Sequence, residues 1–359
     1  MEVMDLLKLA VEKNASDIFV GAGHKISFKI DGAIVNQGEN IITPAVSEKM
    51  VRDLYQFANK DIGNFLKTGD DDFPVSVPGL ARFRVCAFRQ RGTMSAIIRV
   101  VFFSLPDYRE LNIPDEVMKV ASEKHGLVLV TGPANSGKTT TLACIINAVN
   151  KNRNCHVITL EDPIEYLHKD GESIISQREI ITDTGSYLAA LRASLRQSPD
   201  IILLGEMRDF ETIKTAMTAA ETGHLVISTL HTIGAINTLD RIIDVFPPEQ
   251  QQQVRVQLSM VLQTTVSQQL LPNKTGGQIP AFEIMHCNSG IRNLIRESKT
   301  HQIDSVIQSS ANDGMIGMDS FILKLLGSGD ITEETAITYA LNSEHMTRRL
   351  KMARKNENI

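Results

Sequence analysis

The chain has 359 residues, of which 42% are hydrophobic and 22% charged, and its formal net charge is −5. That length suggests two domains rather than one core, and the balance of residue types is that of an ordinary globular protein. The negative charge argues against nucleic acid as a partner, because sequence-independent binding needs a clustered basic face.

The four cysteines, Cys86, Cys144, Cys155 and Cys287, form no C-x-x-C pair. Zinc and dithiol motifs need such pairs, so these are read as packing residues and no zinc is expected. No signal-peptide pattern follows Met1, and no run of 18 apolar residues occurs. The expectation is a cytoplasmic protein, held at any membrane only through other proteins.

In chain order, Met4, Leu7 and Val11 have helical spacing. Lys25 to Ile30 alternates polar and apolar residues before Asp31-Gly32, which predicts a strand entering a tight turn. Asp70-Asp71-Asp72 reads as an exposed acidic turn. Arg82 to Ala87 alternates again, placing Arg82 and Arg84 on one face of a strand. Residues 1–104 therefore read as an α+β domain, and 105–115, with Pro106 and Pro114, as a linker.

Between 116 and 285 the texture changes. Short apolar runs at Leu127–Val130, Val157–Leu160, Ile201–Leu204 and Leu225–Ile227 are separated by helical stretches. Strands buried on both faces look like this, and the spacing predicts a parallel sheet flanked by helices. From 286 to 359 the apolar residues follow helical spacing (Ile291, Leu294, Ile295; Ile303, Val306, Ile307). The basic cluster Arg348, Arg349, Lys351, Arg354 and Lys355 reads as a solvated tail.

One motif dominates. Gly132-Pro133-Ala134-Asn135-Ser136-Gly137-Lys138-Thr139 fits G-x-x-x-x-G-K-[ST] in full, after a predicted strand and before a helix with the buried stripe Leu142, Ile145, Ile146 and Val149. Such a loop aims backbone N–H groups at an anion, assisted by the helix dipole. Lys138 should reach the β- and γ-phosphates of ATP, and the Thr139 hydroxyl should ligate Mg2+.

In an open parallel sheet, ligands bind at the carboxyl ends of the strands. The second run leads to Glu161-Asp162-Pro163-Ile164-Glu165 and the third to Gly205-Glu206; the fourth is flanked by His224 and His231. All four strands are expected to deliver chemistry to one rim. Glu206 is read as the partner of Mg2+ through water, and one carboxylate of Glu161–Glu165 as the group that orients the attacking water. Either histidine also has a plain structural reading.

These residues resemble a known family. Leu195-Arg196-Gln197-Ser198-Pro199-Asp200 followed by Ile201 to Asp209 is similar to the signature of the type II/IV secretion ATPases. Thr159 to Glu165 resembles their aspartate box, and His224 with His231 their histidine box. The resemblance implies a RecA-like P-loop NTPase core in an α/β fold, a PAS-like N-terminal domain and a C-terminal helical region. Nucleotide would then meet Gly132 to Lys138, Thr139, Thr140, Glu161, Asp162 and His224. Glu165, Glu206 and His231 would be catalytic, with Arg82 and Arg84 reaching nucleotide held by a neighbouring subunit; an ordinary charged strand face is the other reading of these arginines.

The family works as homohexameric motors, so the resemblance also implies an inner-membrane platform protein as partner and a pilin fibre moved indirectly. Gly290 to Glu297 resembles the A-I-R-N-L-I-R-E motif of the retraction branch, with Gly290 in place of the first Ala. Accessory retraction members share most motifs. Assembly and secretion members usually carry a paired-cysteine insertion that this chain lacks. The phosphate loop departs at Ala134-Asn135, where the family commonly has Thr-Gly; both positions present backbone, so little loss of binding is expected.

Overall fold

Period-two alternation in the first hundred residues builds one antiparallel sheet. The structure, a computed structural model, describes residues 2–30, 32–101, 105–169 and 171–357. It divides into two compact units, 1–104 with 165–167, and 105–164 with 168–359. Asp31 and the side chains of Arg354 and Lys355 lie outside the described residues.

The first unit holds β1 (Asp17–Val20), β2 (Lys25–Ile30), β3 (Ala33–Ile41), β4 (Asp70–Val77), β5 (Ala81–Gln90) and β6 (Thr93–Val101), in the order β3-β2-β1-β6-β5-β4. Helices Val3–Glu12 and Pro44–Phe57 supply Leu6, Leu7 and Leu54 to a core shared with Phe28, Phe83 and Ile98. The second helix starts where Thr43 accepts from the Val46 amide and Pro44 occupies the first turn. The acidic triplet is not a turn. It opens β4, and Asp71 accepts from the Tyr55 hydroxyl at 2.8 Å and from Lys60 at 2.7 Å.

The second unit is the anticipated α/β layer structure. Its strands are β7 (Gly126–Thr131), β8 (His156–Glu161), β9 (Ile174–Glu179), β10 (Ile201–Leu204), β11 (Leu225–Leu230), β12 (Leu262–Pro272) and β13 (Gln278–His286). Their order is β13-β12-β7-β11-β10-β8-β9, parallel throughout except that β13 runs antiparallel to β12. Leu127, Leu129, Ile158, Ile202 and Val226 face one core, while Val128, Val130, Val157, Ile201 and Ile227 face the other. Each fully buried side chain of this kind stabilises the fold by about 1.5–3 kcal/mol relative to exposure.

The segment read as a linker belongs to this second unit. Leu105, Tyr108 and Leu111 pack against its core and Ile113 is buried in it. Helices Ser289–Arg296, Ile303–Ser309, Met318–Gly327, Glu333–Tyr339 and Ser343–Glu357 make the C-terminal region. Among the described residues, no helix is long and apolar enough to cross a membrane.

Candidate nucleotide site

β7 ends at Thr131, the loop from Gly132 turns back on itself, and the helix Lys138–Asn152 begins. Gly132 has φ 141° and Gly137 has φ 86°. A Cβ at Gly132 would run into the Gln268 carbonyl and the Ser136 hydroxyl, and one at Gly137 would stand 2.8 Å from Gln268 Nε2. Both positions therefore need glycine for conformation, and Gly132, backed by a carbonyl that cannot move aside, needs it for space as well. Asn135 has φ 61°, the left-handed region that asparagine tolerates better than most residues. That explains how it stands where glycine is usual.

The Lys138 ammonium donates to the carbonyls of Gly132 at 2.9 Å and Pro133 at 2.7 Å. Burial lowers its pKa, opposed by the carboxylate of Glu206. Ser136 is buried, and its hydroxyl is one of the few buried polar atoms left without a hydrogen-bond partner among the described residues. Leaving such a group unpaired costs about 1–3 kcal/mol, which an anion in the loop would recover.

Because β7, β8, β10 and β11 are parallel, their carboxyl ends share one edge. β8 delivers Glu161, which accepts from the Thr159 hydroxyl at 2.6 Å and from Gln177 Nε2 at 3.2 Å. Asp162 follows, exposed. Beyond β10, Glu206 is 14% exposed at its side chain; one oxygen pairs with Arg208 at 2.6 Å and the other faces His231 Nε2 at 3.3 Å. His231 follows β11 directly. The loop, Glu161, Glu206 and His231 thus gather at one edge, within a single unit.

His224 does not join them. A residue preceding a parallel strand lies at the opposite edge, about 20 Å away for six residues. There its Nδ1 contacts the Ala219 carbonyl at 3.0 Å, and its own carbonyl accepts from Gly126. Strand direction therefore separates the two histidines, one before β11 and one after it. Glu165 is exposed and groups with the first unit. Arg82 and Arg84 alternate on β5 with the buried Phe83 and Val85, and Arg84 lies 3.7 Å from Asp72. Thr139 and Thr140 open the helix, half-buried.

Two contributors escaped sequence reading. Gln268, on β12, underlies the loop and carried no motif. Arg208 lies two residues beyond Glu206, inside the resembling signature, where its charge could have been read as a partner for that carboxylate.

The sequence model of the family described as "Type II/IV secretion system protein" matches residues 2–317. The chain is 42% identical to the type IV pilus retraction ATPase PilT of Pseudomonas aeruginosa over 341 residues, 94% of this chain and 97% of that one. It is 47% identical to a twitching motility protein of Neisseria gonorrhoeae over 277 residues, 77% of this chain and 74% of that one. A crystal structure of the pilus retraction motor PilT with bound ADP superposes with a TM-score of 0.89 at 42% identity, covering 97% of this chain and 99% of that one. The chain belongs to the type II/IV secretion system protein family.

Proposed function

We propose that this chain is an ATP-hydrolysing motor subunit that drives retraction of type IV pili. The phosphate loop carries the reading: its glycines, the unpaired Ser136 hydroxyl and Lys138 form a cradle that suits a triphosphate, and relatives at 42% and 47% identity are named for pilus retraction and twitching.

In this reading the loop amides hold the β- and γ-phosphates, and Lys138 exchanges its carbonyl partners for phosphate oxygens. Glu165 accepts a proton from water as it attacks the γ-phosphorus, and ADP leaves. Arg208 pairs with Glu206 and aims it, while His231 faces the same carboxylate from the end of β11. Thr139 and Glu206 supply hard oxygens of the kind Mg2+ takes alongside substrate phosphates and water, and Mg2+ would neutralise charge there. Thr140, Glu161 and Asp162 line the same edge.

The working unit is a homohexamer in which Arg82 and Arg84 reach nucleotide on a neighbour. An arginine given to a phosphoryl-transfer transition state can be worth 10³–10⁵ in rate (about 4–7 kcal/mol). The ring would sit at the cytoplasmic face of the inner membrane against a platform protein, moving pilin subunits indirectly. Deleting the gene should leave cells piliated but unable to twitch, and a copy carrying Lys138→Ala should not restore movement. Loss of the pili themselves would instead assign an assembly role.

A further inference from the structure

We propose that Gln177 and Glu179, on the edge strand β9, are positioning residues that hold the Glu165 segment in its working conformation; the inference rests on the reading of Glu165 as the group that activates water. Residues 162–168 have no regular secondary structure, so side-chain bonds must set their path. β9 supplies three. Gln177 spans the segment: its Nε2 donates to Glu161 Oε1 at 3.2 Å, and its Oε1 accepts from the His168 amide at 2.9 Å. Glu179 holds the middle, with Oε2 accepting from the Ile164 amide at 3.1 Å. Ile164 immediately precedes Glu165.

Glu179 is unusual for an edge strand. It is 7% exposed, and burying a carboxylate is unfavourable unless its oxygens are hydrogen-bonded. Its second oxygen accepts from the Thr182 hydroxyl at 3.1 Å, and its own amide donates to Asp183 at 2.8 Å. The turn after β9 thus holds the carboxylate, and the carboxylate holds Ile164. Gln177 and Glu179 are two apart on a strand, so they share a face. One strand therefore grips both ends and the centre of an eight-residue span. An active-site group displaced by about 1 Å can lose 10²-fold in rate, which gives such a grip its kinetic value.

The test uses steady-state ATP turnover and ATP affinity of the full chain in its assembled form. Glu179→Ala should lower kcat about 10- to 100-fold while ATP affinity changes by less than about threefold. Glu179→Gln keeps an oxygen for the Ile164 amide and should recover most of the rate. Gln177→Ala should lower kcat in the same sense, and carries the test if Glu179→Ala does not fold. Added to Glu165→Gln, Glu179→Ala should slow turnover no further, because its effect passes through Glu165. Wild-type kcat in Glu179→Ala or Gln177→Ala, with Glu165→Gln slowed to a low residual rate, overturns the inference alone. So does full additivity in the double variant. Normal turnover in Glu165→Gln removes the functional reading on which the inference rests.

Discussion

The Thr141 hydroxyl, one turn into the helix after the phosphate loop, donates to the side-chain oxygen of Gln268 at 2.7 Å, and both residues are buried. This bond ties the loop to β12, a strand 127 residues later in the chain. The same glutamine backs Gly132 and Gly137, so it forms the floor under the cradle.

Removing that floor should loosen the loop. Gln268→Ala leaves the Thr141 hydroxyl unpaired and opens space beneath Gly137, while the backbone carbonyl under Gly132 stays. The expected cost is about 1–3 kcal/mol of stability, read as a lower urea midpoint, with a weakened affinity for ATP. Gly132→Ala, which meets backbone rather than a movable side chain, should abolish ATP binding. Unchanged affinity in both variants would mean that the loop does not rest on β12.

Asn135 should behave as a tolerated left-handed residue rather than a functional side chain. Asn135→Gly keeps the backbone path, so ATP affinity should stay within a few fold. Asn135→Val, β-branched at φ 61°, should lower stability by about 1–2 kcal/mol. Equal stability of the valine and glycine variants contradicts this.

The retraction-type motif divides into two sets. Ile291 and Ile295 are fully buried, and Arg292 donates to the carbonyls of Ser259 and Met260 and to Gln263 Oε1, tying off the end of the helix Pro248–Val261. Arg292→Ala should therefore cost about 1.5–3 kcal/mol of stability. Arg296 is exposed and Leu294 only partly packed, so replacing these two should spare folding and ATP turnover but stop twitching. Loss of turnover together with motility would assign them to the fold.

Burial pushes the His168 imidazole down from 6.5 to about 4. The unfolded chain then binds a proton that the folded chain refuses between those values, so stability is full above pH 6.5 and falls as pH drops towards 4. The whole loss is roughly 3 kcal/mol at the value of one pKa unit. His286, lowered in the same direction by burial, adds to the slope. Urea midpoints at pH 7 and 5 should differ less in His168→Gln than in the parent chain. Parallel curves would show that His168 is accessible to protons.

The arginines of β5 can be tested by mixing. Arg84→Ala and Lys138→Ala subunits, each inactive alone, should partly restore ATP turnover when combined, because some neighbouring pairs then hold one intact loop and one intact arginine. No restoration at any ratio means that Arg84 does not act across subunits.

The cradle was legible because its chemistry is local: Gly132 to Thr139, the preceding apolar run and the following helix are contiguous. Glu206 and His231 were legible because strand direction places residues after a parallel strand at one edge. The same rule puts His224, which precedes β11, at the opposite edge. Gln268 and the grip of β9 were hidden because only topology brings them near the site; β9 itself, mostly polar, gives no buried-strand pattern. Asp70 to Asp72 looked like a turn because three acids rarely open a strand, and the Tyr55 and Lys60 partners that make it possible are set by the fold.

The most direct measurement is a crystal structure of the assembled chain grown with a non-hydrolysable ATP analogue and Mg2+. The expected density places the β- and γ-phosphates on the amides of Gly132 to Thr139, with the Lys138 ammonium on phosphate oxygen and the Glu206 carboxylate facing the γ-phosphate. Nucleotide bound elsewhere, or Lys138 still bonded to the Gly132 and Pro133 carbonyls beside a bound triphosphate, would contradict it.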